Sequence, residues 1–131
     1  KAAAETVSQR FKVKVEGGVL ADDDSARRVL DGAVAVFTTG AAGAQLVSKA
    51  VWTAIPRLKL IADINAVPPL GIEGIDMSDN GQEREGRICF GALGIGGRKM
   101  KVHRTCIARL FESNDVLMEA EQVYQVAKEL V

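Results

Sequence analysis

Apolar and polar positions along the chain follow a few distinct rhythms. Ala2 to Arg10 are good helix formers, and Ala3, Val7 and Phe11 are spaced to share a face, which predicts a short helix. Phe11 to Val15, Phe-Lys-Val-Lys-Val, then alternates with period two and predicts a strand with one solvated side near a sheet edge. Asp22 to Asp24 offer N-cap oxygens and a negative first turn to a helix over Ser25 to Asp31, closed by Gly32. Ala33 to Phe37, AVAVF, is a continuous apolar run too short for a helix and reads as a strand buried on both faces. Leu58 to Ile64, LKLIADI, reads the same way, with Asp63 and Asn65 at its end. Between these runs Val47, Ala50, Val51 and Ala54 recur at helical spacing after Thr38, Thr39 and Gly40, and Pro56 stops the helix.

Ile75 to Glu85 is polar and turn-rich and predicts an exposed connection, and Arg87 to Phe90 predicts one more strand. From about Arg98 a long helix is expected. It would carry His103, Cys106, Ile107, Leu110 and Phe111 on one face and Lys101, Arg104, Thr105 and Ala108 on the other. A last helix would bury Ala120, Val123, Tyr124, Ala127 and Leu130. Strands alternating with helices at these lengths imply right-handed βαβ crossovers, hence an α/β doubly wound parallel sheet of which part is present.

Composition narrows the function classes. The 131 residues suit one domain, and 47% hydrophobic residues with a mean hydropathy of +0.07 suffice for a packed core. Lys plus Arg and Asp plus Glu both total 17, so no net field draws the chain to nucleic acid or anionic lipid. No secretory segment or membrane span of roughly 20 apolar residues is present in the sequence. Cys89 and Cys106 form neither a CxxC pair nor a metal spacing and read as reduced thiols of a cytoplasmic protein. His103, the only histidine, excludes a histidine-rich metal site and reads as a packed side chain. No metal cluster, acid dyad or Ser/His/Asp set is recognisable. The opening KAAAETVSQRF has no initiator Met and lies inside an expected helix, which leads us to expect a fragment.

Ligands of open parallel sheets gather beyond the carboxyl ends of the strands. Two stretches fall there: Thr38 to Gly43, TTGAAG, and Asp63 to Gly71, DINAVPPLG. In the first, glycines let backbone approach a flat ligand and threonine hydroxyls can bond ribose or amide oxygens; a plain strand-to-helix turn capped by Thr is the alternative. In the second, Asp63 and Asn65 offer polar groups, and Pro68-Pro69 stiffens the loop with a potential cis bond. A third stretch, FGALGIGGRKMK from Phe90 to Lys101, looks like a phosphate cradle and fails both patterns. GxxxxGK(S/T) counted from Gly91 reaches Gly96 followed by Gly97, and GxGxxG counted from Gly94 ends on Lys99. Its glycines are expected to let the chain cross tightly beside the cleft before the helix. Lys99, Lys101 and Arg104 would oppose the dipole at a helix start, which favours a role toward a carboxylate or substrate over a solvated face.

Three long strings carry a resemblance: ADINAVPPLGIEGID (Ala62 to Asp76), FGALGIGGRKMKVHR (Phe90 to Arg104) and CIARLFES (Cys106 to Ser113). With FTTGAAG they make the chain similar, along its whole length, to the C-terminal part of the bacterial NAD(P)-dependent methylene-tetrahydromethanopterin dehydrogenases. The resemblance implies a partial Rossmann-like domain over residues 1–92 and C-terminal helices over 93–131 that return to a catalytic domain. It implies NADP or NAD as cofactor, a tetrahydromethanopterin-type pterin as substrate, and a homo-oligomer. The glycine-rich turn and the residues reading the 2′-phosphate would precede Lys1, so the isolated chain is expected to be inactive. Carried over position by position, Thr38, Thr39, Gly40 and Ala41 would line the cofactor ribose and Asp63, Asn65 and Ala66 the nicotinamide side. Lys99 would be the cation at the hydride-transfer site, with Lys101 the alternative on the substrate side. Arg98 stands where the resemblance leads one to expect an apolar residue. Two other readings are a methylene-tetrahydrofolate or other Rossmann dehydrogenase, and a non-catalytic nucleotide-binding or interaction module.

Overall fold

A computed structural model describes residues 2–130. Four strands form one sheet in the order β1 (Ala35–Thr38), β2 (Leu60–Asp63), β4 (Arg87–Phe90), β3 (Asn80–Arg84). The first three run parallel, and β3 is antiparallel to β4. Five helices accompany them: α1 (Ala2–Phe11), α2 (Asp23–Val29), α3 (Lys49–Trp52), α4 (Ala92–Leu110) and α5 (Ala120–Glu129). This is a mixed α/β fold with a mostly parallel sheet and C-terminal helices, as the alternation of elements predicts.

One sheet face carries the core. Val36, Ile61 and Cys89 are in register across β1, β2 and β4, and all are buried. They meet Ala26 of α2, Val51 and Trp52 of α3, and Ile55, Leu58 and Ile72 of the loops. Trp52 satisfies its indole N–H on the Glu73 carbonyl at 2.8 Å, so the largest core side chain buries no unpaired polar atom. Asp22 caps α2 through a reciprocal bond with Ser25, as the aspartate run predicts.

Several expected elements differ. Phe11 to Val15 is not a strand: α1 runs to Phe11, Lys12 has φ 53°, and the Val15 N–H donates to the Ser8 hydroxyl. The alternation is real, but no neighbouring strand lies within reach among the described residues, so Val13 and Val15 stay exposed. AVAVF is not buried on both faces, because Phe37 is 67% exposed on the side opposite the core. The helix expected after Gly40 shrinks to Lys49–Trp52, with Ser48 rather than a threonine capping it, and Val47 instead bridges to Ile72.

The polar stretch 75–85 contains β3. Glu85 and Gly86, with φ of 50° and 73°, form the tight turn of a β3–β4 hairpin. α4 begins at Ala92, six residues before the expected start, and takes in Gly94, Gly96 and Gly97. Its packed side is Val102, Thr105, Cys106 and Arg109, not the expected face: Ile107, Leu110 and Phe111 are exposed, and His103 is exposed rather than packed. On α5, Val126 is the buried residue and Tyr124 is 62% exposed. An Arg10–Glu121 ion pair ties α1 to α5.

Candidate functional site

The carboxyl ends of β1 and β2 lie side by side, with Thr38 paired in register to Asp63. Asp63 is 1% exposed, and both its oxygens are occupied. Oδ1 accepts the Asn65 N–H at 2.9 Å and Oδ2 the Ile72 N–H at 3.1 Å. The side chain therefore pins both ends of the loop 64–72 rather than facing a ligand. Asn65 continues this function: its Oδ1 accepts the Val67 N–H at 3.0 Å, and its amide nitrogen lies 3.4 Å from the Ala41 carbonyl and 3.5 Å from that of Pro69. Three loop segments thus converge on one buried amide. The Pro68–Pro69 bond within this loop is cis.

Gly71 closes the arrangement from above. A Cβ there would lie 3.0 Å from Asp63 Oδ1 and from Thr38 Oγ1, a crowded contact, so glycine lets the loop lie close on the strand ends. Thr38 Oγ1 is buried without a hydrogen-bond partner. Thr39, Gly40, Ala41 and Ala66 are exposed around this pinned centre. What the two predicted loops share, then, is a rigid floor made by Asp63 and Asn65 and an accessible rim made by residues 39–41 and 66.

The glycine-rich stretch has a different role. A Cβ on Gly91 would sit 2.1 Å from the Asp76 carbonyl oxygen, and one on Gly94 would sit 1.9 Å from that of Asp79. These two glycines let the start of α4 press backbone to backbone on the corner 76–79. The corner then caps the helix: Met77 O accepts from the Leu93 and Gly94 N–H groups at 2.8 and 3.3 Å, and Asp79 O accepts from Gly91 at 2.8 Å. The corner is itself held by Asp79, 5% exposed, whose carboxylate takes a two-pronged bond from Arg84 at 2.7 Å on each oxygen. That guanidinium pulls the Asp79 carboxyl below its ordinary range, with the Asp76 N–H adding to the effect.

Three cavities adjoin the sheet and the C-terminal helices, each sharing one lining residue with the next. The first, of about 340 Å³, runs along the free edge of β1 and is lined by Phe37, Thr38, Thr39, Gly40 and Leu46. The second, also about 340 Å³, lies on the other sheet face beside the start of α4, between Phe37, Leu60, Ala62, Asn80, Phe90 and Arg98. The third, of about 530 Å³, sits between α4 and α5 and is lined by Arg98, Lys101, Val102, Ala127 and Leu130. Phe37 is the wall shared by the first two and Arg98 the wall shared by the last two. Lys99 is exposed on α4 and lines neither the second nor the third. A smaller polar cavity of about 220 Å³ near Asp22, Asp23 and Ser48 has its acidic groups in use: Asp22 caps α2, and Asp23 accepts the Ser48 hydroxyl.

The chain is similar to two longer proteins of Methylorubrum extorquens. It is 50% identical to the bifunctional protein MdtA over 130 residues, covering 99% of this chain and 45% of that protein. It is 29% identical to an NAD(P)-dependent methylenetetrahydromethanopterin dehydrogenase over 129 residues, covering 95% of this chain and 43% of that protein. The chain thus spans less than half the length of either relative. No family profile matches it.

Thr39 and Gly40 supply a hydroxyl and a bare backbone along the first cavity, whereas Thr38 Oγ1, which lacks a partner, is buried beneath Gly71. The N-termini of α2 to α5 are already occupied by protein groups. Asp22 caps α2, Ser48 caps α3 with the Glu73 carboxylate bonded to the Lys49 N–H, carbonyls cap α4, and Glu119 caps α5. Among the described residues no cluster of His, Cys, Asp and Glu could hold a metal, and no helix is long and apolar enough to cross a membrane.

Proposed function

We propose that the chain supplies the sheet ends and C-terminal helices of an oxidoreductase that moves hydride between methylene-tetrahydromethanopterin and NADP or NAD, yielding the methenyl form. The observation that carries this reading is the similarity along 95% of the chain to a protein named for that activity, reinforced by 50% identity to MdtA along 99%. A bound nicotinamide would supply the hydride acceptor and the pterin nitrogens would spread the resulting positive charge, so the chain's own residues would be called on for positioning rather than as a general base. The three cavities suit this chemistry: one carries Thr39 and Gly40, one is largely apolar, one carries Arg98 and Lys101, and none holds an acid–base constellation.

In this reading Thr38, Thr39, Gly40 and Ala41 meet the ribose side, Asn65 and Ala66 the ring side, and Asp63 acts by holding the loop. Lys101 faces the pterin from the third cavity, and Lys99 remains the proposed cation at the transfer site. Residues 1–92 belong to the nucleotide-binding domain and 93–131 to the substrate domain. The test is a chimera in which this chain replaces the segment of MdtA that it matches, assayed for NADP and NAD reduction with methylene-tetrahydromethanopterin and with methylene-tetrahydrofolate. Turnover with the pterin is expected, and Lys99→Ala should lower kcat/KM by roughly 10- to 1000-fold. A folded chimera inert with both carriers would sink the reading.

A further inference from the structure

We infer that the second cavity binds a planar aromatic ligand bearing an anionic group, with the ring over Phe37 and Phe90 and the anion on Arg98. The inference rests on the proposed function only for which reaction such a ligand would enter. Three observations carry it.

The first is the apolar floor. Phe37, Ala62 and Phe90 are in register across β1, β2 and β4, and Phe37 is 67% exposed beside the second cavity. Aromatic faces at the bottom of a cavity of a few hundred Å³ suit a flat ring system. The second is position. Arg98 lines both the second and the third cavity, so a ligand seated on the floor lies beside it.

The third is charge. No Asp or Glu lines either cavity. Arg10, Arg27, Arg84 and Arg109 each hold a carboxylate; Arg98, like Arg28, Arg57 and Arg104, makes no ion pair or hydrogen bond among the described residues, and of these four it alone lines the two cavities. Lys101, the second cation of the third cavity, reaches only the Leu130 carbonyl at 3.4 Å. A purely apolar occupant would strip water from an unpaired guanidinium, which is costly. An occupant that brings a carboxylate or phosphate meets a planar fork able to bind both of its oxygens. The anion could belong to a pterin or to a nucleotide, and both present the same oxygens to Arg98.

Two probe pairs separate these sources: pterin-6-carboxylate against neutral 6-methylpterin, and nicotinamide mononucleotide against nicotinamide riboside. Titrated into the 131-residue chain, the anionic member of at least one pair should bind about tenfold more tightly, a difference of ~1.4 kcal/mol. Whichever pair discriminates names the source. Arg98→Ala should reduce the preference to about twofold or less, Arg98→Lys should retain part of it, and Phe37→Ala should weaken both members alike. Raising salt should erode the preference. Arg98 is exposed, so circular dichroism of its variants should match the parent.

Equal binding of anionic and neutral members, or a preference that survives Arg98→Ala, overturns the inference. So does a self-associated chain whose interface displaces every probe. A chimera that turns over without anion preference sinks the Arg98 role alone. Anion preference in an inert chimera sinks the hydride-transfer reading alone.

Discussion

Asp63 illustrates how a residue in the right place can do a different job. Its position at the end of a parallel strand was legible in LKLIADI, but its orientation was not. Orientation is decided by Gly71 and Ile72, eight and nine residues later, whose loop folds back and delivers an N–H to the second oxygen. Asp63→Asn removes one of two acceptors for buried amides and should cost about 1 to 3 kcal/mol by chemical denaturation. Gly71→Ala should cost a similar amount, because Asp63 Oδ1, 3.0 Å from the new methyl, is held by the Asn65 N–H and has little room to retreat. A Gly71→Ala variant as stable as the parent would show that the loop does not rest on the strand ends. The Asp79–Arg84 pair makes a pH prediction. The folded carboxyl is held below the ordinary value of 3.8, so its contribution is fully present above that value and is lost as pH falls through the depressed one. Acid titration of stability should therefore be shallower in Asp79→Asn than in the parent below about pH 4. Identical acid limbs would remove the pair from the stability balance.

At the scale of elements, the legible parts were those whose signal is local. The α2 cap, the apolar cores of β1 and β2, and β4 follow from adjacent residues. β3 did not, since Asn80 to Arg84 is polar throughout and is a strand only because the Glu85–Gly86 turn lays it along β4. The start of α4 was hidden for the opposite reason. Three glycines lower helix propensity by about 1 kcal/mol each, and the helix forms there because the corner 76–79 caps and packs it. The four glycines of this stretch then divide cleanly. Gly91→Ala and Gly94→Ala would place a methyl about 2 Å from a carbonyl oxygen and should cost several kcal/mol or prevent folding. At Gly96 and Gly97 nothing lies within 4 Å of an added Cβ, so alanine there should stabilise by roughly 0.5 to 1 kcal/mol each. Thermal melts of the four single variants read the contrast directly. Stabilised Gly91→Ala, or destabilised Gly96→Ala and Gly97→Ala, would contradict the packing described.

For the whole molecule, the sequence reveals a parallel sheet but not which of its faces is filled. AVAVF has no alternation to distinguish a strand covered on both sides from one covered once, and the structure covers once. The principal core joins α2, α3 and the sheet, and it includes Cys89 at 0% exposure. Cys106 and Val126 lie apart from it, between α4 and α5, with Cys106 7% exposed. The two free thiols thus sit on opposite sides of the proposed boundary near residue 92 and can report on each side separately. Burial raises the Cys89 thiol above its ordinary pKa, so the folded chain supplies less thiolate there than a free cysteine would. In mild denaturant, a thiol reagent should modify Cys106 before Cys89, because opening the helix pair releases a smaller apolar contact than opening the core. Single-thiol variants, Cys89→Ser and Cys106→Ser, assign the two rates. Equal rates across denaturant would mean that sheet and helices open as one cooperative unit, and the boundary at residue 92 would then have no energetic meaning.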